Sequence, residues 1–302
     1  MTRSEPAGTA TSEHSAARVH LPSPEQTTDV RLVAVDMDGT LLDGDGELPD
    51  GLWEVLEALR ARGIAFAPAS GRQYAALRDH FDRVSDGMVF LAENGSYVVR
   101  DGRELASRTI EPGTAAEAVR LAREVGEAHA DCGVVLCGKR SAYVERTDDR
   151  FLEAAMPYYL ELARVPDLLA HDGPLAHDEI VKVAVFELHD AEPNVLPAMQ
   201  RLGGAQVVLS SRHWVDIMVA GTNKGAALRQ LRDELGITRD QTMAFGDFRN
   251  DLEMLAEARF SVAMAGAHPD VVRAASYLAP PNTDRGVLRA LDASLGLGLG
   301  LA

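Results

Sequence analysis

The stretch RLVAVDMDGTLLD, residues 31–43, decides how this chain is read. Arg31-Leu-Val-Ala-Val35 is a near-continuous apolar run, as expected of a strand covered on both faces. Two acids follow it, Asp36 and Asp38, and then Gly39 and Thr40. In open α/β sheets, ligands collect at the carboxyl ends of the strands. Two carboxylates at i and i+2, with a glycine and a hydroxyl, suit a nucleophile, an acid and a phosphate clamp. A carboxylate nucleophile splits phosphoryl transfer into two steps. Taken alone, the same residues also suit an ordinary turn after a strand.

Working outward, the next element is a helix with Leu52, Trp53, Val55, Leu56 and Leu59 on its apolar face. Asp50 is its expected N-cap and Gly63 its stop. A second buried strand, 64–67, a helix after Gly71 and a third strand, 88–91, complete a β-α-β-α-β order. That order predicts an α/β fold, a Rossmann-like doubly wound parallel sheet with helices on both faces. From about residue 105 the rhythm changes. A capping box at Thr114 and Glu117 opens a helix. Strands at 134–137 and 141–145, a helix over 151–163, a strand at 180–187, a helix over 194–202 and strands at 206–210 and 214–219 follow. After Thr222 the α/β rhythm returns, with a helix over 224–235, a strand at 242–245, a helix from Asn250, a strand at 260–264 and a last helix after Gly286. The expected organisation is a disordered tail over 1–28, a discontinuous core of 29–104 and 218–296, and an inserted α+β unit of 105–217 acting as a lid.

Three further groups stand near strand ends. Ser70-Gly71 offers a hydroxyl and free backbone N–H groups at a helix start, an anion site or a plain N-cap. Lys224 opens a helix, where its charge opposes the macrodipole unless an anion is near. Asp247 and Asp251, with Asn250 between them, suit Mg²⁺, which takes oxygen ligands; helix capping accounts for one of these acids but not both. Acids outnumber bases 46 to 30, a net charge of −16. That disfavours nucleic acid and anionic membranes as partners. Any phosphate site must therefore be positive locally. The two cysteines, Cys132 and Cys137, match no zinc or redox spacing and are expected as free thiols. No apolar run has membrane-span length and no secretory signal is evident, so the chain reads as cytoplasmic.

The stretches LVAVDMDGTLLD, FAPASGRQ, ENGSYV, GTNKGAAL, AFGDFRNDLEML and NTDRGV, in this order, resemble the haloacid dehalogenase-like phosphatase superfamily. The likeness runs from residue 30 to 290 and is to the Cof-type branch, subfamily IIB, with a C2B cap. It implies Asp36 as nucleophile and Asp38 as general acid and then base. It implies Thr40, Ser70, Gly71 and Lys224 around the phosphoryl group, with Asn250 contacting Lys224 or the phosphate and Asn94 near the substrate. Mg²⁺ would be held by the Asp36 carboxylate, the Asp38 backbone carbonyl and Asp247, with Asp251 supporting it through water. The implied activity is hydrolysis of small phosphate monoesters, sugar phosphates or related metabolites, through an aspartyl phosphate. A phosphomutase of the same superfamily and a non-catalytic phospho-binding module are the alternatives. Specificity is expected in the cap, where Lys139, Arg140, Arg146, Lys182, Arg212 and His213 are polar candidates, most of them on a solvated face. Arg249 reads as a surface arginine. Oligomeric state is not encoded in any pattern found.

Overall fold

The structure, a computed structural model, describes residues 19–83 and 87–301. The chain first lays down β1 (Leu32–Asp36), β2 (Ala65–Ala69), β3 (Val89–Ala92), β4 (Tyr97–Arg100) and β5 (Arg103–Ser107). It then builds β6 (Cys132–Gly138), β7 (Ala142–Val144), β8 (Leu162–Arg164), β9 (Ile180–Glu187), β10 (Ala205–Leu209) and β11 (Trp214–Val219). It returns with β12 (Thr242–Gly246), β13 (Phe260–Met264) and β14 (Tyr277–Ala279). These strands form an eight-stranded sheet, β14-β13-β12-β1-β2-β3-β4-β5, and a six-stranded sheet, β10-β11-β9-β6-β7-β8.

The large sheet is parallel from β14 to β3 and ends in the antiparallel strands β4 and β5. It is an α/β sheet with helices on both faces. β1 explains why: every one of its residues is buried. Val33 and Val35 enter one apolar cluster with helices Leu52–Ala61 and Gly286–Leu295. Leu32 and Ala34 enter another with helices Lys224–Leu235 and Leu252–Ala256. A strand sandwiched this way must be apolar at successive positions rather than alternate ones. β1 pairs with β2 on one side and β12 on the other, in parallel on both. The connection reverses direction across the sheet there, which opens a crevice at the carboxyl ends of these three strands.

The six-stranded sheet lies over that crevice. Lys182 on β9 donates to the Gly71 carbonyl, 2.5 Å, and Arg72 donates to the Pro157 carbonyl, 2.8 Å. Gln73 exchanges two bonds with the Glu161 backbone, both 2.9 Å. The two sheets are thus tied across the site by side chains satisfying backbone groups.

Several local expectations change. Helix Leu52–Ala61 is capped by Gly51, at φ +92°, and not by Asp50. Helix Pro112–Ala128 begins before the Thr114–Glu117 pair, because Pro112 at its first turn fixes a helical φ. The helix expected over 151–163 stops at Ala155, and β8 occupies its end. β5 belongs to the large sheet, so that sheet extends past residue 104, to Ser107. Of the expected tail, residues 1–18 lie outside the described residues. Residues 19–28 are folded: His20 bridges to Leu278, and buried Thr27 donates to the Ser294 carbonyl, 2.6 Å. The Gly296–Leu301 segment folds back so that Leu299 and Leu301 donate N–H bonds to the Asp292 carboxylate, 3.0 and 2.8 Å. Among the described residues no helix is long and apolar enough to cross a membrane.

Thr27→Val keeps the shape and leaves the buried Ser294 carbonyl without that donor. It is expected to lower unfolding free energy by about 1–2 kcal/mol in urea melts, whereas a segment contributing nothing would give no change.

Candidate active site

Asp36 is the last residue of β1, at the floor of the crevice, and is nearly fully buried. Lys224, the first residue of its helix, is buried too and bonds both Asp36 Oδ1 and Asp251 Oδ1, the latter at 2.6 Å. The lysine is misplaced with respect to the macrodipole, yet it sits between two carboxylates that reverse the local field. Burial opposes its charge, but Asp251 and Asp36 outweigh burial and hold it above the usual lysine range. The other Asp251 oxygen accepts the N–H groups of Asp247 and Phe248, 3.0 and 3.1 Å. Asp251 therefore fixes both the lysine and the loop that carries Asp247.

Asp247 follows β12 and accepts the Thr40 hydroxyl, 2.9 Å. Gly39 makes this approach possible. It sits at φ +79°, and a Cβ there would lie 2.5 Å from Asp247 Oδ2. Oxygens of Asp36, Asp247 and Asp251 lie within 4.8 Å of one another. Three carboxylates against one ammonium leave negative charge in a buried place. Burial pushes the Asp36 carboxyl well above the usual carboxylate range; Asp251 adds to this, Lys224 opposes it and Asp247 adds again. Burial and then Asp251 push Asp247 up to about 6. This unbalanced set fits a divalent cation taking oxygen ligands.

On the other wall, Ser70 follows β2, and its hydroxyl caps the Arg72 N–H, 3.1 Å. The Arg72 guanidinium grips Asp38 with two bonds, 3.0 and 2.6 Å, and lies over the Tyr158 ring, 4.9 Å from its centroid. Asn94 follows β3 in a left-handed backbone conformation, φ +54°. Its carbonyl oxygen accepts from Asn250, 3.0 Å, and its amide donates to Asp216 of β11. Asn250, expected at Lys224 or the phosphate, is thereby tied to the Asn94 side chain.

The family of haloacid dehalogenase-like hydrolases matches residues 33–291. The chain belongs to this family. The chain is 33% identical over 273 residues to the 5-amino-6-(5-phospho-D-ribitylamino)uracil phosphatase YbjI of Escherichia coli (strain K12), covering 87% of this chain and 95% of the relative. It is 29% identical over 255 residues to the HMP-PP phosphatase of Cronobacter sakazakii, covering 82% and 89%. The crystal structure of SMU.1108c from Streptococcus mutans UA159 superposes with a TM-score of 0.79 at 28% identity, over 88% of this chain and 99% of that one. The HAD subclass IIB sugar phosphatase BT4131 shares the fold, with a TM-score of 0.74 at 20% identity over 89% and 100%. The curated relatives are named phosphatases, and this chain is a phosphoric monoester hydrolase of the same family.

For this hydrolase, the structure brings Asp36, Thr40, Lys224, Asp247 and Asp251 into one cluster, with Asp38, Ser70, Gly71 and Asn250 around the same cavity. Lys182 corrects the solvated-face expectation. It is fully buried, 2.7 Å from Glu93 and 3.6 Å from Asp216. The Phe186 and His213 rings stack, which makes His213 a packed residue. Arg249 pairs with Glu192 near the surface, and both cysteines are free. Glu93, Tyr158, Trp214 and Asp216 were not marked by any motif reading, and Arg72 stood in the Ser70-Gly71-Arg72 group without a role of its own. The one available signal was Arg72, inside the Ser-Gly-Arg stretch.

Lys224→Met leaves Asp36 and Asp251 buried without their cation and is expected to cost about 3–5 kcal/mol by chemical denaturation. A cost below 1 kcal/mol would count against the lysine as the site's electrostatic anchor. Asp247 has a second consequence. Its folded value, about 6, lies above the ordinary 3.8. Its contribution to stability is therefore present below the unfolded value and lost as pH rises through about 6. In chelator, the wild-type melting temperature should fall across that range and Asp247→Asn should flatten the fall. Parallel profiles would contradict this assignment.

Proposed function

We propose that this hydrolase cleaves small phosphate monoesters, sugar phosphates or related metabolites, with Mg²⁺ and through an aspartyl phosphate on Asp36. The observation that carries the reading is the Asp36 carboxylate at the sheet's crevice, held by Lys224 beside the Asp247–Asp251 acids. The names of the curated relatives support a phosphorylated small molecule as substrate.

In the first step an Asp36 oxygen attacks phosphorus and the bond to the leaving oxygen breaks. Asp38 gives that oxygen a proton. In the second step Asp38 takes a proton from water as the water attacks phosphorus, and Asp36 is released with phosphate. The hydroxyls of Thr40 and Ser70 and the ammonium of Lys224 hold the phosphoryl oxygens; Gly71 lies beside them. Phosphoryl transfer depends chiefly on such positioning and charge neutralisation. Asp36, the Asp38 carbonyl and Asp247 would hold Mg²⁺, with Asp251 supporting through water, since its oxygens are engaged by Lys224 and backbone N–H groups. When bound, the ion offsets the mutual repulsion of Asp36 and the phosphate. The Arg72 guanidinium donates to both side-chain oxygens of Asp38. Delivery of a proton in the first step requires that grip to open. The six-stranded unit, close to residues 105–217, serves as the lid that excludes water.

Wild-type protein with Mg²⁺ is expected to release p-nitrophenol from p-nitrophenyl phosphate. Asp36→Asn should lower kcat by at least about a thousandfold, and EDTA should abolish turnover until Mg²⁺ is restored. Undiminished release by Asp36→Asn would remove the reading.

A further inference from the structure

The chain has three lysines, and two of them, Lys182 and Lys224, are buried at the crevice. Lys224 belongs to the cluster already described. Lys182 comes from β9 of the six-stranded sheet. Its ammonium donates to the Gly71 carbonyl, 2.5 Å, and pairs with Glu93, 2.7 Å. Asp216 of β11 lies on a further side, 3.6 Å away. Burial opposes the charge, but Asp216 and Glu93 outweigh burial and hold the lysine above its usual range.

What this ammonium fixes is one peptide unit beside the phosphate end. The other backbone groups of residues 70–72 are pinned by β3 and the turn after it. Ser70 N–H donates to the Leu91 carbonyl, 2.9 Å, and the Ser70 carbonyl accepts from Asn94 N–H, 2.8 Å. The Arg72 carbonyl accepts from Glu93 N–H, 3.1 Å. Glu93 and Asn94 reach these partners from consecutive left-handed conformations, φ +52° and +54°, a strain that only firm surroundings hold. Among the described residues the Gly71 carbonyl has no backbone donor; its donor is Lys182. The N–H of the same peptide unit, on Arg72, donates to Ser70 Oγ, 3.1 Å.

A serine hydroxyl gives one proton and accepts with its lone pairs. Ser70 Oγ accepts from Arg72, and its own proton goes to no group among the described residues. That proton is free for a ligand in the crevice. A peptide next to glycine turns over easily. Reversed, this one would set its carbonyl oxygen where its N–H now meets Ser70 Oγ, and the hydroxyl would spend its proton there.

We propose that Lys182 is a positioning residue for phosphoryl transfer, holding the Gly71–Arg72 peptide so that the Ser70 hydroxyl keeps its proton for the phosphoryl group. The inference rests on the phosphatase reading above and adds to it a residue that acts through the loop. Because the ammonium belongs to the lid, the phosphate end is complete only when the lid lies over it.

The test is a double-mutant cycle on the full chain with Mg²⁺, using Lys182→Met, Ser70→Ala and the two together. The substrates are p-nitrophenyl phosphate and glycerol 2-phosphate, and inorganic phosphate is the inhibitor. Lys182→Met alone should lower kcat/KM at least about tenfold, the effect of losing a hydrogen bond from a charged donor. The factor should be the same for both substrates, and inhibition by phosphate should weaken with it. On the Ser70→Ala background the same change should cost under about threefold, because the group it acts through is gone. A loss as large with Ser70→Ala as without it would make Lys182 a general support of the fold and overturns the inference. A loss confined to one substrate, or an unchanged phosphate inhibition, overturns it too, since the lysine would then serve the leaving group. Lys182→Met leaves Glu93 and Asp216 buried without their cation. If it does not fold, Lys182→Met combined with Glu93→Gln, which removes one charge of each sign, carries the same cycle against Glu93→Gln. No hydrolysis of either substrate by the wild type overturns the phosphatase reading beneath the inference.

Discussion

The structure depends on one buried ammonium. Lys224 Nζ bonds Asp36 at the end of β1 and Asp251 in the loop after β12, two acids separated by more than half the chain. Without it, two carboxylates would face each other out of water, which burial alone penalises heavily. With it, the carboxylates are fixed in place, and one of them is aimed into the crevice where the sheet's connections reverse. With Asp247 the cluster still sets three carboxylates against one ammonium. The raised carboxyls of Asp36 and Asp247 record that shortfall. That imbalance is what the proposed cation would offset.

A second buried lysine repeats the device between the sheets. Lys182 of β9 reaches across to Glu93 and the Gly71 carbonyl while lying beside Asp216 of β11. A buried charge with only imperfect partners would be a liability. Here its partners include backbone at the start of the Ser70–Arg72 loop and a residue adjoining Asn94. The position of the six-stranded sheet is therefore coupled to the loops that flank the phosphate end. Arg72 extends this coupling, since its guanidinium grips Asp38 and also donates to the Pro157 carbonyl.

Much of the fold was legible because its patterns are strong. Strands Ile180–Glu187, Trp214–Val219 and Phe260–Met264 and helix Lys224–Leu235 stand where periodicity placed them. The hairpin of β4 and β5 was not legible. It is an edge, and Arg100, Arg103 and Glu104 break its apolar alternation. Strand β8 is three residues long and followed a helical apolar pattern that Pro157 interrupts. At the site, the acids and Lys224 could be chosen because each is anomalous where it stands: an acid pair after a strand, a cation at a helix start. Lys182, Glu93 and Asp216 carry no such local sign. Lys182 sits in an apolar strand and looks like one polar position among many, and its partners are distant in sequence. Their meaning is tertiary, and no spacing rule reports it.

In the proposed reaction the Asp36 carboxylate itself takes the phosphoryl group. Wild-type protein mixed with an aryl phosphate and Mg²⁺, quenched in acid before the steady state, and digested for mass spectrometry tests it directly. One added phosphoryl group is expected on the peptide carrying residues 31–43, placed on Asp36 by fragmentation and removed by hydroxylamine. Phosphate released in a full pre-steady-state turnover with that peptide unmodified, or the phosphoryl group found on another side chain, would contradict it.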